Sequence, residues 1–266
     1  MGGLFQNSNL TVGKLAAYAP IQPSDYSGLF IWLDASDLST ITTGSVNAVS
    51  TWSDKSGGGR NFTQATAGSR PTYQTASFNG NPSINFDGSS DFLTYASNTS
   101  YNKFTVFAVL NVQNNVSMQQ QNIFTKLYFY ALGTSDFPFG GIYTTPTVTS
   151  IGSYIDAGGD YSVDRIASSS ASPNTNYIYS SYHDQVNLVS SLNGVVKQTT
   201  PSNISLSSTI APYAIGRSGL ENGGGTGTGY YKGNLAELIM YTSSLSTDQQ
   251  NRIRLYLGNK WGISTI

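Results

Sequence analysis

Apolar positions along this chain fall mostly in short runs rather than at helical spacing. Leu29-Phe30-Ile31-Trp32-Leu33 is an apolar stretch ended by Asp34. Phe104-Thr105-Val106-Phe107-Ala108-Val109-Leu110 is continuous, β-branched and aromatic, which predicts a central strand covered on both faces. Residues 122–130 read as its neighbour, and 211–217 as a further strand. Between 186 and 191, Val186, Leu188 and Ser190 alternate with Asn187, Val189 and Ser191, and the run continues to Leu192-Asn193-Gly194-Val195-Val196. Asn-Gly between apolar runs predicts a tight hairpin, because both central residues of a type I′ turn need positive φ. Tyr231 to Tyr241 reads as a buried strand.

One segment breaks the pattern. Ser246 is a good N-cap, Gln249 three residues later completes a capping box, and Asp248 favours the positive end of the helix dipole. Ile253, Tyr256, Leu257 and Trp261 recur at helical spacing, and Gly262 follows as the stop. Short strands with Gly, Asn and Ser at the turns, closed by one helix, predict an all-β, antiparallel two-sheet sandwich over residues 28–266. Residues 1–27 form a different segment, with Pro20 and Pro23 favouring an extended path. Its apolar residues Leu4, Phe5, Leu10, Val12, Leu15 and Tyr18 make it a candidate anchoring arm, lying on its own sandwich or on a neighbouring subunit. The Gly-rich tract 222–229 reads as a surface loop.

Residues 29–37, then Thr51-Trp52-Ser53-Asp54-Lys55-Ser56-Gly57, Arg70-Pro71-Thr72-Tyr73 and Ser83-Ile84-Asn85-Phe86-Asp87-Gly88 resemble, in order, the opening blocks of concanavalin A-like (laminin G-like) jelly-roll domains. Residues 231–263 are similar to the closing block of that family. The resemblance implies a jelly-roll sandwich of the kind found in phage fibre and capsid-surface proteins and in bacterial adhesins. Such domains mostly hold or bind rather than catalyse.

Composition narrows the partners. Of 266 residues only 10 % are charged, against roughly 25 % in an average soluble domain, and the net charge is −1. This speaks against nucleic acid and against an anionic membrane surface, both of which demand clustered Lys and Arg. No apolar run approaches the roughly 20 residues that span a bilayer. The N-terminus lacks a basic region followed by an apolar stretch, so no secretory leader is expected, and Gln6 stands where a myristoylation signal would have Ser or Thr. With no cysteine, disulfides and thiolate zinc sites are excluded.

Glycosidases of the same architecture carry carboxylates as Glu-x-Asp-x-x-Glu, an acid and a partner set across the scissile bond. Neither Glu221 nor Glu237 has a carboxylate two or four residues on, and Glu237 reads as a strand-edge or surface residue. His183 is the only histidine and reads as an ordinary residue at a strand end. The glycine tracts lack Gly-Lys-Ser/Thr, so nothing cradles phosphate. Family members often hold calcium through rim-loop oxygens, but Asp34, Asp37, Asp54, Asp87, Asp91, Asp156 and Asp160 lack the spacing of a calcium loop and read as turn-formers. No cofactor is expected, and the metal content stays open. Exposed aromatic faces for a sugar are Tyr143, Tyr154, Tyr161, Tyr230 and Tyr231, with Asn222 beside them in sequence.

The reading is a non-enzymatic structural protein of a virus particle, a phage above all: a capsid decoration or fibre component at the virion surface. Its arm would join it to other virion proteins in a multicopy or homo-oligomeric assembly, and its surface would touch host glycans weakly. The alternative is a lectin module of a receptor-binding tail protein or of a cell-surface adhesin.

Overall fold

The structure of the protein is a computed structural model that describes residues 21–96, 99, 101–117, 121–126, 141–155, 165–203, 212–217 and 229–265. Its strands are β1 (Leu29–Asp34), β2 (Ile41–Thr43), β3 (Val49–Trp52), β4 (Phe62–Thr63), β5 (Thr72–Phe78), β6 (Asn81–Asp87), β7 (Leu93–Tyr95), β8 (Phe104–Val112) and β9 (Gln121–Lys126). There follow β10 (Gly141–Thr144), β11 (Ser150–Ile155), β12 (Arg165–Ser170), β13 (Asn176–His183), β14 (Asn187–Leu192), β15 (Val195–Pro201), β16 (Tyr213–Ile215), β17 (Lys232–Tyr241) and the helix α1 (Thr247–Trp261). The arm residues Leu4 to Tyr18, and residues 127–130, 156–164, 211 and 218–228, lie outside the described residues.

Among the described residues the strands form two antiparallel sheets, the predicted sandwich. One sheet runs β15-β14-β13-β8-β17-β6-β5, with β1 also on β17; the other runs β12-β11-β10-β9-β16-β7-β4-β3-β2. The far side of β17 is divided: Lys232 to Leu235 pair with β6, and Glu237 to Tyr241 pair with β1. β8 is central, between β13 and β17, and its side chains obey the period of two. Phe104, Val106, Ala108, Leu110 and Val112 face the core between the sheets, while Phe107 and Val109 face a second core under α1. Residues 122–126, expected beside β8, instead belong to β9 in the opposite sheet, paired with β10 and β16. A buried apolar run fixes burial on both faces but carries no label for its partner strand.

The helix forms as the capping residues dictate. Ser246 Oγ accepts from the Gln249 N–H, Gln249 Oε1 accepts from the Ser246 N–H, and Gly262 ends the helix in the left-handed conformation at φ 67°. Ile253, Leu257 and Trp261 are fully buried against the first sheet, each worth about 1.5–3 kcal/mol relative to exposure. Ile21 and Tyr26, within the segment assigned to the arm, pack on this second core, and the Tyr241 hydroxyl donates to the Pro23 carbonyl. The hairpin of β14 and β15 turns at Asn193 (φ 51°) and Gly194 (φ 89°), both left-handed as an Asn-Gly turn requires.

The Trp-Ser-Asp-Lys-Ser-Gly block has a structural task. β1 pairs with β17 on one edge only, and residues 54–60 occupy its other edge. Asp54 Oδ1 accepts the Trp32 N–H, the Lys55 N–H donates to the Trp32 carbonyl, and Ser56 Oγ and Arg60 both donate to the Phe30 carbonyl. Asp54 also accepts the Ser56 and Arg60 N–H groups, so a short loop is wound around one carboxylate.

Candidate functional site

The acidic groups come first, because catalysis on this architecture would need them free. Glu237 is wholly buried, which corrects the surface position read from sequence. A bulge between Leu235 and Glu237 shifts the alternation of β17, so Leu235, Leu238 and Met240 enter the inter-sheet core while Ala236, Ile239 and Tyr241 face α1. On that helix side Glu237 Oε1 accepts from Trp32 Nε1 (2.8 Å) and Tyr256 OH (3.0 Å), and Oε2 accepts from Lys260 Nζ (2.8 Å) and Trp261 Nε1 (2.6 Å). Lys260 also reaches Asp34 Oδ1 at 2.8 Å, and Lys55 bridges Asp34 and Asp37 at 2.9 Å each. Burial pushes the Glu237 carboxyl up, against the opposing pull of Lys260. Burial acts on Asp34 in the same sense, but Lys260 and the bonds from Ser36 and Lys55 outweigh it and hold that carboxyl below its ordinary range. Four donors on two oxygens leave Glu237 no lone pair for a substrate, so the network clamps the helix to the sheet.

Asp37, Asp54, Asp87 and Asp91 form turns, as expected. Asp37 accepts from Ser39, and Asp87 accepts the N–H groups of Ser89, Ser90 and Asp91, while Asp91 accepts the Asp87 N–H in return. Among the described residues no group of three potential ligands is placed to hold a metal ion. His183 ends β13, fully buried, with Nε2 3.2 Å from the Ser202 carbonyl and hydroxyl; burial lowers its pKa.

The tyrosines divide. Tyr231 is wholly buried, its hydroxyl donating to the carbonyls of Asn111 and Asn234, so it is a core residue and not an exposed platform. Tyr161 and Asn222 lie outside the described residues. Tyr143 and Tyr154 come together on the outer face of the second sheet. Alternation places Ile142, Thr144, Ile151, Ser153 and Ile155 inward, fully buried, and leaves Tyr143, Tyr154, Ser150 and Ser168 half-buried on the other side. The two rings meet edge to face, centroids 5.6 Å apart at 77°. Gly152 is paired with Tyr143 on one side and Ser168 on the other. A Cβ there would come within 3.0 Å of both the Tyr143 ring and Ser168 Cβ, so the missing side chain lets the ring lie low over the backbone.

Polar groups surround this shelf. Gln198 Oε1 accepts the Ser168 N–H at 2.8 Å and the Ser168 hydroxyl at 3.2 Å, tying β12 to β15 across the edge of the sandwich. Ser150 and Ser170 form the next cross-strand pair on the same face. Asn122 is in register with Tyr143, and its backbone bridges to Tyr230, which is half-buried. Asn115 Nδ2 holds that segment by donating to the carbonyls of Tyr230 and Gly88. Sequence alone missed Gly152, Ser168 and Gln198, whose proximity arises only from strand register.

Two antiparallel sheets stacked on one core, with a closing helix, define a concanavalin A-like jelly-roll sandwich. Solved structures share this fold at low identity. The binding domain of botulinum neurotoxin DC in complex with rat synaptotagmin II superposes with a TM-score of 0.56 at 9 % identity, over 91 % of this chain and 56 % of that one. Botulinum neurotoxin type C, whose passage into cells depends on two ganglioside molecules, gives 0.56 at 10 %, over 88 % and 52 %. Trypanosoma rangeli sialidase in complex with the inhibitor DANA gives 0.57 at 12 %, over 92 % and 36 %. The chain thus spans about half of the toxin chains and about a third of the sialidase. No protein-family model and no curated protein matches it.

Proposed function

We propose that this chain is a non-enzymatic, glycan-binding sandwich displayed on the surface of a particle, with a phage capsid decoration or fibre as the setting. The observation that carries the binding role is the Tyr143–Tyr154 pair, partly exposed above Gly152 and ringed by serine hydroxyls. Aromatic faces beside hydroxyls suit the alternating C–H and O–H surfaces of a sugar ring. The locked state of Glu237 and Asp34 supports the non-enzymatic part. The display setting rests on the resemblance of the opening and closing blocks, with residues 1–20 as the anchoring segment joining virion partners.

The binding role is tested on a glycan array with the labelled chain and its Tyr154→Ala variant. Binding that weakens by about tenfold or more, about 1.4 kcal/mol, in the variant supports it; a blank array for the folded chain removes it. The anchoring role is tested by deleting residues 1–20, which leaves Ile21, Pro23 and Tyr26 on the second core. The truncated chain should fold and fail to join its assembly.

A further inference from the structure

We propose that the chain cross-links itself: Lys260 Nζ condenses with the Asp34 carboxyl to form an amide, releasing one water, with Glu237 carrying the protons. The three groups meet at one point. Lys260 Nζ lies 2.8 Å from Asp34 Oδ1 and 2.8 Å from Glu237 Oε2, and the two acidic side chains are 4 % and 0 % exposed. Asp34 and Glu237 are register partners on β1 and β17, so the sheet holds both against the last turn of α1. Trp32, Tyr256 and Trp261 wall the site and bond Glu237, and Nζ lies 5.0 Å from the centre of the Trp261 ring. An amine and a carboxyl held in contact condense without the entropic cost of an encounter. The event happens once per chain and turns over no substrate, so it stands apart from the glycan-binding reading.

Each step has a group placed for it. Glu237 Oε2 takes one proton from Nζ and passes it to Asp34 Oδ1, since both oxygens touch the same nitrogen. Ammonium and carboxylate thereby become amine and carboxylic acid. Burial, which raises the Glu237 carboxyl, makes it a better base than an exposed carboxylate. The Nζ lone pair attacks Asp34 Cγ and the C–N bond forms. Negative charge builds on Asp34 Oδ2, which faces the Lys55 ammonium at 2.9 Å. The Cγ–Oδ1 bond then breaks, and Oδ1 leaves as water with a second proton that Glu237 takes from Nζ. Two of the three ammonium protons depart on that water, and Glu237 ends ionised as it began. The neutral pair is the minor state, because Lys260 and the bonds from Ser36 and Lys55 hold the Asp34 carboxyl low. Amide formation draws that state off and removes two charges from a site where each costs solvation. In a chain without cysteine, the link ties the first strand of the sandwich to its last helix and constrains the unfolded state as a disulfide would.

Intact-mass spectrometry of the full chain, denatured after folding and incubation at neutral pH, reads the bond directly. The chain should be one water lighter than its sequence, and a tryptic digest should contain one branched peptide joining the Asp34 and Lys260 segments. Lys260→Arg keeps a cation between the two carboxylates, but its guanidinium stays protonated and should leave the full mass. Glu237→Gln keeps the bulk of the side chain and should slow linkage by about a hundredfold or more, the usual contribution of a positioned proton carrier. Circular dichroism of each sample establishes that it is folded. A folded parent chain at full mass overturns the inference, and so does a loss of water that persists in Lys260→Arg. A folded Glu237→Gln chain that links at the parent rate overturns the role given to Glu237.

Discussion

Asp34 and Glu237 stand opposite each other on β1 and β17 and share a single ammonium group, Lys260 Nζ lying 2.8 Å from one oxygen of each. The lysine comes from the last turn of α1, so the pair is what holds the helix in register on the sheet. Replacing it with Lys260→Met leaves two facing carboxylates, one of them wholly buried. The expected loss of stability is about 3 kcal/mol, the lower end for a broken buried pair because the ammonium is 21 % exposed. Urea unfolding followed by tryptophan fluorescence checks it, with Trp32 and Trp261 both bonded to Glu237. An unchanged midpoint would show that the clamp contributes nothing.

Stability should depend on pH through Asp91. Burial first, then the neighbouring Asp87 charge, pushes its carboxyl up to about 7. The folded chain therefore keeps a proton that the unfolded chain has already released above about pH 4. Stability from this group is complete at low pH and is lost as pH rises toward 7. Asp91→Asn preserves the acceptor for the Asp87 N–H and should flatten that slope, as denaturation midpoints across the range would reveal.

Val46 is strained without return. It sits at φ 51°, followed by Asn47 at φ 59°, in a turn closed by the Ala48 N–H on the Ser45 carbonyl, and its side chain is 87 % exposed. A left-handed β-branched residue costs about 1–2 kcal/mol. Val46→Asn should raise stability by about 1 kcal/mol, a melting-temperature gain of about 2–4 °C for a chain of this size.

Asp54→Ala removes the acceptor for the Trp32, Ser56 and Arg60 N–H groups together. A cost of about 1–3 kcal/mol is expected for donors left partly buried. The sharper reading is amide exchange at Trp32, which should accelerate while that of central β8 is unchanged.

How much was legible in the chain follows from the range of the interactions. The helix was readable to its caps because Ser246, Gln249 and Gly262 act within a few residues. The two-faced burial of β8 was readable because its composition states it. The partner of β9 was not, since pairing joins residues far apart and any apolar strand satisfies a neighbour. Glu237 was misplaced because one bulge reverses the side on which every later residue of β17 falls. Tyr143 and Tyr154 were both named in advance, yet only the register of β10 on β11 brings their rings together. Tyr231 was misjudged because its neighbour Tyr230 has the same chemistry, and backbone geometry alone decides which of the two turns inward.

The loop wound around Asp54 has a consequence for survival at high local concentration. Soluble β proteins commonly deter polymerisation by placing charged side chains along open strand edges. This chain has 13 basic and 14 acidic residues in 266, too few to guard the borders of two large sheets that way. At β1 it instead fills the hydrogen-bonding groups themselves, with Asp54, Ser56 and Arg60. A strand from another copy then finds no free backbone groups to pair with at Phe30 and Trp32.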